Sequence, residues 1–107
     1  MLKKDKILNL LARVQHCIEH GLYLDTRHAT DRQSERMISR PEILYVLKSG
    51  RHEKSKDQYQ DRYKAWNYAI RGKTLDRRDV RVIVSFDENN MLIITAIELE
   101  QRYGTKN

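Results

Sequence analysis

Two stretches in the last third of the chain, WNYAIRG (66–72) and DVRVIVSFD (79–87), alternate with a period of two, the period of a strand that buries one face. In the first, Trp66, Tyr68 and Ile70 share one face and Asn67, Ala69 and Arg71 the other. In the second, Val82, Val84 and Phe86 oppose Arg81, Ile83 and Ser85. A third stretch, MLIITAIELE (91–100), is apolar on both faces: Leu92, Ile94 and Ala96 on one, Ile93, Thr95 and Ile97 on the other. That pattern predicts a strand that is central or covered twice. ENN (88–90) is expected to close a hairpin between the last two strands, because asparagine tolerates positive φ.

The N-terminal half reads as helical. Over residues 1–21, Ile7, Leu11, Val14 and Ile18 recur at three- and four-residue steps, with Leu8 and Leu10 widening the stripe and Gly21 as the stop. LYLD (22–25) is a short strand candidate. RHATDRQSER (27–36) has helix-forming composition with little apolar periodicity. Ser39, Pro41 and Glu42 resemble a helix start with Ser39 or Arg40 near the cap; Ile43, Leu44 and Leu47 are available for burial before a stop at Gly50. RHEKSKDQYQDRYK (51–64) has no clear period and is expected to form an irregular edge strand or loop. Helices first and antiparallel strands later give an α+β class, with N-terminal helices packed on a small antiparallel sheet. With 107 residues and no repeat or linker, the expectation is one domain: an N-terminal amphipathic helix (1–21), an α+β core (22–99) and a tail (100–107).

The formal net charge is +6, and it is concentrated. Residues 26–81 hold fifteen Lys/Arg against eight Asp/Glu, as expected for a surface that meets nucleic acid or another polyanion. No run approaches the length of a membrane span, and the interrupted apolar residues of MLKKDKILNLLARVQ argue against a signal peptide. A single cysteine, Cys17, excludes an internal disulfide and fits a reducing cytoplasm.

Three groups of side chains are candidates for chemistry. His28, Arg32 and Arg36 stand four residues apart, on one stripe if the segment is helical. Cleaving a phosphodiester without a metal needs a proton carrier and cations that hold developing negative charge, which a histidine and two guanidiniums supply. The alternative is a polar helix flank whose arginines pair with Asp25, Asp31 or Asp57. In RGKTLDRRDVR, Arg71 and Arg81 should point outward from adjacent strands, with Lys73, Arg77 and Arg78 in the connecting loop: a phosphate platform, or an ordinary solvated hairpin. In KDQYQDRYKAWNY, Tyr59 and Tyr63 could stack on bases, while Trp66 is expected in the core. His16 and His20 have the i, i+4 spacing of metal ligands but no third ligand, and Cys17 has no histidine partner, so no metal centre or thiol nucleophile is expected. No phosphate loop or nucleophile elbow occurs, and no cofactor is implied.

HATDRQSERMISRPEILYVLKSG, WNYAIRGKT and VRVIVSFDENNMLIITAIEL together resemble a bacterial family known as domain of unknown function 4258, over roughly residues 22–99. The carrying residues are His28–Ala29, Arg32, Arg36, Ile38–Ser39, Gly50 and Ile94–Thr95; Met37 stands where members commonly have glycine. Members resemble RelE/ParE-type toxins. The resemblance implies a metal-independent endoribonuclease that grips RNA on an open sheet face, transfers the phosphate to the adjacent 2′-hydroxyl, and binds an acidic antitoxin protein. On this reading His28 is the general acid or base and Arg32 and Arg36 the phosphate ligands. Arg71, Arg81, Lys73, Lys56 and Tyr68 are RNA contacts, with Asp57 in a lesser part. The rival is a non-catalytic nucleic-acid-binding or protein-interaction domain on the same fold. A Mg²⁺-dependent nuclease would need an acidic cluster, and Asp57, Asp61 and Asp87 are scattered.

Overall fold

The computed structural model describes residues 3–27 and 38–99. Within them the order is α1 (Leu10–Glu19), β1 (Tyr23–Asp25), α2 (Arg40–Ser49), β2 (Arg51–His52), a 3₁₀ turn (Lys54–Lys56), β3 (Gln58–Gln60), β4 (Ala65–Lys73), β5 (Asp79–Phe86) and β6 (Met91–Glu98). The class is α+β. The described strands form one sheet in the order β1-β6-β5-β4-β2, with β3 also paired to β4. The antiparallel β4-β5-β6 meander matches the alternation expected for β4 and β5. In β6 a bulge at Ile94, between the pairs Ile83–Thr95 and Val84–Ile93, breaks the alternation and brings Ile93 and Ala96 to the same core-facing side. β1 departs from the antiparallel pattern, joining β6 in parallel through Tyr23–Met91, Leu24–Leu92 and Asp25–Ile93, so the sheet is mixed. A strand delivered by a helix, rather than by a tight turn, can enter in either direction.

α2 packs on β4 and β5 and α1 packs on α2, leaving the other face of the sheet without a helical layer among the described residues. The core lies between: Val14, Ile43, Val46 and Leu47 from the helices meet Tyr68, Ile70, Val80, Val82, Val84, Met91 and Ile93 from the sheet, all buried. β6 is central, as its two-sided apolar pattern predicts, lying between β1 and β5.

α1 starts at Leu10, later than the apolar repeat suggests, because Asn9 caps it, its side chain accepting the Ala12 N–H. Its buried stripe is therefore Leu10, Val14 and Cys17; Ile7, Leu11 and Ile18 flank it and Leu8 is fully exposed. Residues 3–7 form an extended strap instead, tied to β4: Trp66 Nε1 donates to the Lys4 carbonyl (2.7 Å) and Ile7 N–H donates to the Tyr68 hydroxyl (2.9 Å). At the other end Gly21 takes φ +69°, with Gly21 N–H to Ile18 and Leu22 N–H to Cys17 closing a Schellman motif. α2 opens on a full capping box between Ser39 and Glu42.

Gly50 does end α2, but in extended backbone (φ −84°). Glycine is needed there for space: a Cβ would lie 2.6 Å from the Arg71 carbonyl oxygen and 2.7 Å from that of Val46. The β5–β6 turn forms at 87–90, yet neither Asn89 nor Asn90 takes positive φ. The Asp87 carboxylate holds the turn by accepting the Asn89 and Asn90 N–H groups at 2.8 and 2.6 Å.

Candidate nucleic-acid interface

The register brings residues of the open face into rows that cross the sheet. Arg51 on β2 is opposite Arg71 on β4, Arg71 is opposite Arg81 on β5, and Arg81 is opposite Ile97 on β6. Antiparallel partners share a face, so three arginines stand side by side at the strand spacing of about 4.8 Å. Arg51 is exposed and Arg71 and Arg81 are half-buried. The block from Arg51 to Lys73 that carries most of this edge has seven Lys/Arg against three Asp/Glu.

Two carboxylates hold the row in place. Asp79 takes Arg71 in a bidentate pair, Nε to Oδ1 at 3.1 Å and Nη2 to Oδ2 at 2.6 Å. Glu53 takes Arg81 through Nε (2.7 Å) and Nη2 (3.2 Å), and its Oε2 also accepts Arg71 Nη1 at 3.2 Å. The hydrogen bond from Arg81 holds the Glu53 carboxyl below the usual carboxylate range, with Arg71 adding to it; Arg71 does the same for Asp79. Arg71 is shifted further upward by Asp79 first and Glu53 second, so it stays charged at any physiological pH.

Further along the same face lies a groove of about 810 Å³, lined by Lys4, Tyr63, Asn67, Ser85, Leu92 and Ile94 among others. Its floor is apolar and Tyr63 stands on its border, 71% exposed. The N-terminal strap brings one cation to the groove that the sequence does not place, Lys4, while Lys3 and Lys6 lie 5.5 and 4.6 Å from the ring centroid of Trp66, which does not line it. Tyr59 and Trp66 meet edge to face at 5.3 Å, with Trp66 packed against the core as expected.

The outer edge of β4 changes partner between β2 and β3, and Asp57 covers the gap. Its Oδ1 accepts the Ala69 N–H (2.9 Å), and its Oδ2 pairs with His52 Nε2 (2.8 Å) and Lys6 Nζ (3.0 Å). The Asp57 side chain is wholly buried, which makes it a structural link between strap and sheet edge rather than an RNA contact.

His28, Arg32 and Arg36 lie outside the described residues. Arg27, buried, grips Asp25 through Nε (2.9 Å) and Nη2 (2.8 Å) and sends Nη1 to the Ile38 carbonyl at 2.7 Å. Asp25 is held below its ordinary range chiefly by that hydrogen bond from Arg27. One guanidinium thus ties together the two positions that bracket 28–37, beside β6, where Thr26 N–H and hydroxyl both donate to the Ile93 carbonyl.

The expected RNA contacts divide three ways. Lys56, in the 3₁₀ turn, and Lys73, at the end of β4, are exposed. Arg71 and Arg81 lie on the open face as expected, but carboxylates already occupy their donors. Tyr68 is 3% exposed on the helix side, its hydroxyl accepting from Ile7, so it is a core residue out of reach of a base. Arg78, expected in the loop, bridges Glu42 (2.5 Å) and Glu98 (3.3 Å) and ties α2 to the far end of β6. Sequence reading overlooked Arg51, Glu53 and Asp79. Asp79 could have been found, being opposite Lys73 in any simple hairpin register, whereas Glu53 reaches the row only through a two-residue strand with no pattern of its own. Among the described residues, no three His, Cys, Asp or Glu side chains are arranged to hold a metal ion, and the exposed His16 and His20 rings lie 4.4 Å apart without a third ligand.

A family model described as Domain of unknown function (DUF4258) matches residues 26–98, from just after β1 to the last residue of β6. No curated protein and no solved structure matches the chain.

Proposed function

The chain belongs to the domain of unknown function 4258 family, and we propose that it binds single-stranded RNA on its open sheet face and cleaves it without a metal, in the manner of RelE/ParE-type toxins. The row Arg51–Arg71–Arg81 is the observation that carries this reading. A row of guanidiniums across a sheet holds a backbone of phosphates, and the groove with Tyr63 and Asn67 further along the same face offers a place for an unpaired base. Lys56 and Lys73 extend the cationic surface.

Cleavage in this reading forms a bond from the 2′-oxygen to phosphorus and breaks the bond to the 5′-oxygen. His28 takes the proton from the 2′-hydroxyl or returns one to the leaving oxygen, and Arg32 and Arg36 offset the charge that builds on the phosphate. The Arg27 link between Asp25 and Ile38 supports it, because it fixes both ends of the segment that carries these three residues. An acidic antitoxin is the natural protein partner, with Leu92, Ile94 and the exposed Ile97 as apolar ground beside the arginines.

One observation favours the non-catalytic alternative. The described histidines lie off this face: His16 and His20 on α1, and His52 opposite core-facing Ile70. Without an acid–base group from residues 28–36, the face binds and does not cut.

Fluorescence anisotropy with a labelled single-stranded RNA tests the binding claim. Replacing Arg51 and Lys73 together by alanine should weaken binding and flatten the salt dependence by about 1.4 in log–log slope, at roughly 0.7 per lost phosphate contact. An unchanged affinity and slope would reject this face as the RNA site.

A further inference from the structure

We propose that Arg71 and Arg81 form a phosphodiester site that Glu53 fills in the free protein, as an internal anion that the RNA backbone must displace. The inference rests on the RNA-binding reading and adds a regulation of the same face.

The Glu53 carboxylate has the contacts that two non-bridging phosphate oxygens would make. One oxygen accepts Arg81 Nε, and the other is shared between Arg81 Nη2 and Arg71 Nη1. Bridging of one anion by two guanidiniums is a phosphate-binding arrangement. The site keeps its shape when Glu53 leaves, because Arg71 does not depend on it: Asp79 holds Arg71 Nε and Nη2 and leaves Nη1 directed at the anion. Arg81, by contrast, gives both Nε and Nη2 to Glu53, so departure of the carboxylate frees them for a ligand. Arg51, next in the row and exposed, supplies a third cation at the entrance.

Glu53 is also placed to move. It follows a two-residue strand and precedes the 3₁₀ turn, and its backbone is anchored by Glu53 N–H to the Ala69 carbonyl (2.8 Å), so a change of side-chain rotamer needs no change in the strand pairing. Occupation of the arginines by a carboxylate lowers affinity for any polyanion that makes weak contacts elsewhere. Only a ligand held at the same time by Arg51, Lys73 and the groove competes well, which favours a strand of RNA over scattered anions.

Glu53→Gln tests this, with Glu19→Gln, exposed on α1, as a control of equal charge change. Each protein is titrated with a labelled single-stranded RNA at several salt concentrations and, in parallel, with inorganic phosphate. Glu53→Gln should bind the RNA roughly tenfold tighter than wild type, the worth of one to two charge-assisted hydrogen bonds, with a salt slope steeper by about 0.7. Glu19→Gln should stay close to wild type. Glu53→Gln gaining no more than Glu19→Gln, while wild type binds RNA, overturns the displaced-anion proposal and leaves RNA binding standing. A gain confined to inorganic phosphate assigns the site to a free anion and overturns the RNA part. Absence of RNA binding by all three proteins sinks both readings. Melting curves accompany each variant; should Glu53→Gln fail to fold, Glu53→Asp, which shortens the reach and keeps the charge, is expected to show the same gain in smaller measure.

Discussion

Arg71 and Arg81 are register partners on adjacent strands, and a single carboxylate, Glu53, bonds to both. Like charges directly opposite on a sheet repel, and the pair persists because Glu53 and Asp79 offset it. Glu53→Ala should therefore destabilise the protein by about 1–2 kcal/mol, the usual scale for losing charge-assisted hydrogen bonds at a partly buried site. Urea unfolding measures it. A neutral effect would mean that the arginines tolerate each other through solvent alone.

Acid should unfold the protein from a definite side. Asp25, Glu53 and Asp79 are all held below their ordinary range by arginine hydrogen bonds, from Arg27, Arg81 and Arg71 respectively. A carboxylate depressed in the native state stabilises it fully above the unfolded value, and loses that contribution as pH falls through the native one. Unfolding free energy should be flat from pH 7 to 5 and should drop below about pH 4, where unfolded carboxylates start to take up protons. Stability that rises on acidification below pH 4 would contradict these pairings.

Arg27→Ala should be among the more damaging single changes. It leaves Asp25 largely buried with only the residue-27 backbone N–H (3.1 Å) and a 3.6 Å contact to Arg40 as partners, and it releases the Ile38 carbonyl. Removing one partner of a buried pair costs about 3 kcal/mol or more. Arg27→Lys keeps the charge but cannot serve both acceptors with a planar fork, so it should recover only part of the loss. Thermal melts of the two variants check the order. Equal stability of Arg27→Ala and wild type would show that the link between Asp25 and Ile38 is not needed for the fold.

Tyr68→Phe separates the core role of this tyrosine from an RNA contact. Loss of the hydroxyl that accepts Ile7 N–H should cost about 1 kcal/mol, loosening the strap, with RNA affinity unchanged. A large fall in affinity at unchanged stability would return Tyr68 to the binding surface.

The sheet was legible because periodicity two survives any tertiary context: Val82 and Val84 inward and Arg71, Arg81 and Ile83 outward lie where alternation puts them. The helix caps Ser39 and Gly21 carry local chemistry and were equally plain. The start of α1 is not legible, because the Ile7 stripe looks helical by spacing while the Ile7 backbone N–H is taken by a tyrosine 61 residues away. The same long-range bond moved Tyr68 from surface candidate to core. Gly50 ends α2 as its position suggests, but its absent Cβ also makes room for β4, a requirement set by packing that no local pattern records. The arginine row was half legible: the outward direction of Arg71 and Arg81 follows from alternation, but their neutralisation by Glu53 depends on where an unpatterned edge segment docks.

Cleavage of a mixed structured and single-stranded RNA pool by the purified protein in EDTA, with His28→Ala and Arg36→Ala alongside at matched melting temperatures, tests the account most directly. Discrete cuts ending in cyclic phosphate, lost in His28→Ala and reduced in Arg36→Ala, are the result it predicts. Cuts that persist in His28→Ala, or that appear only when Mg²⁺ is restored, would contradict a metal-independent site built on His28.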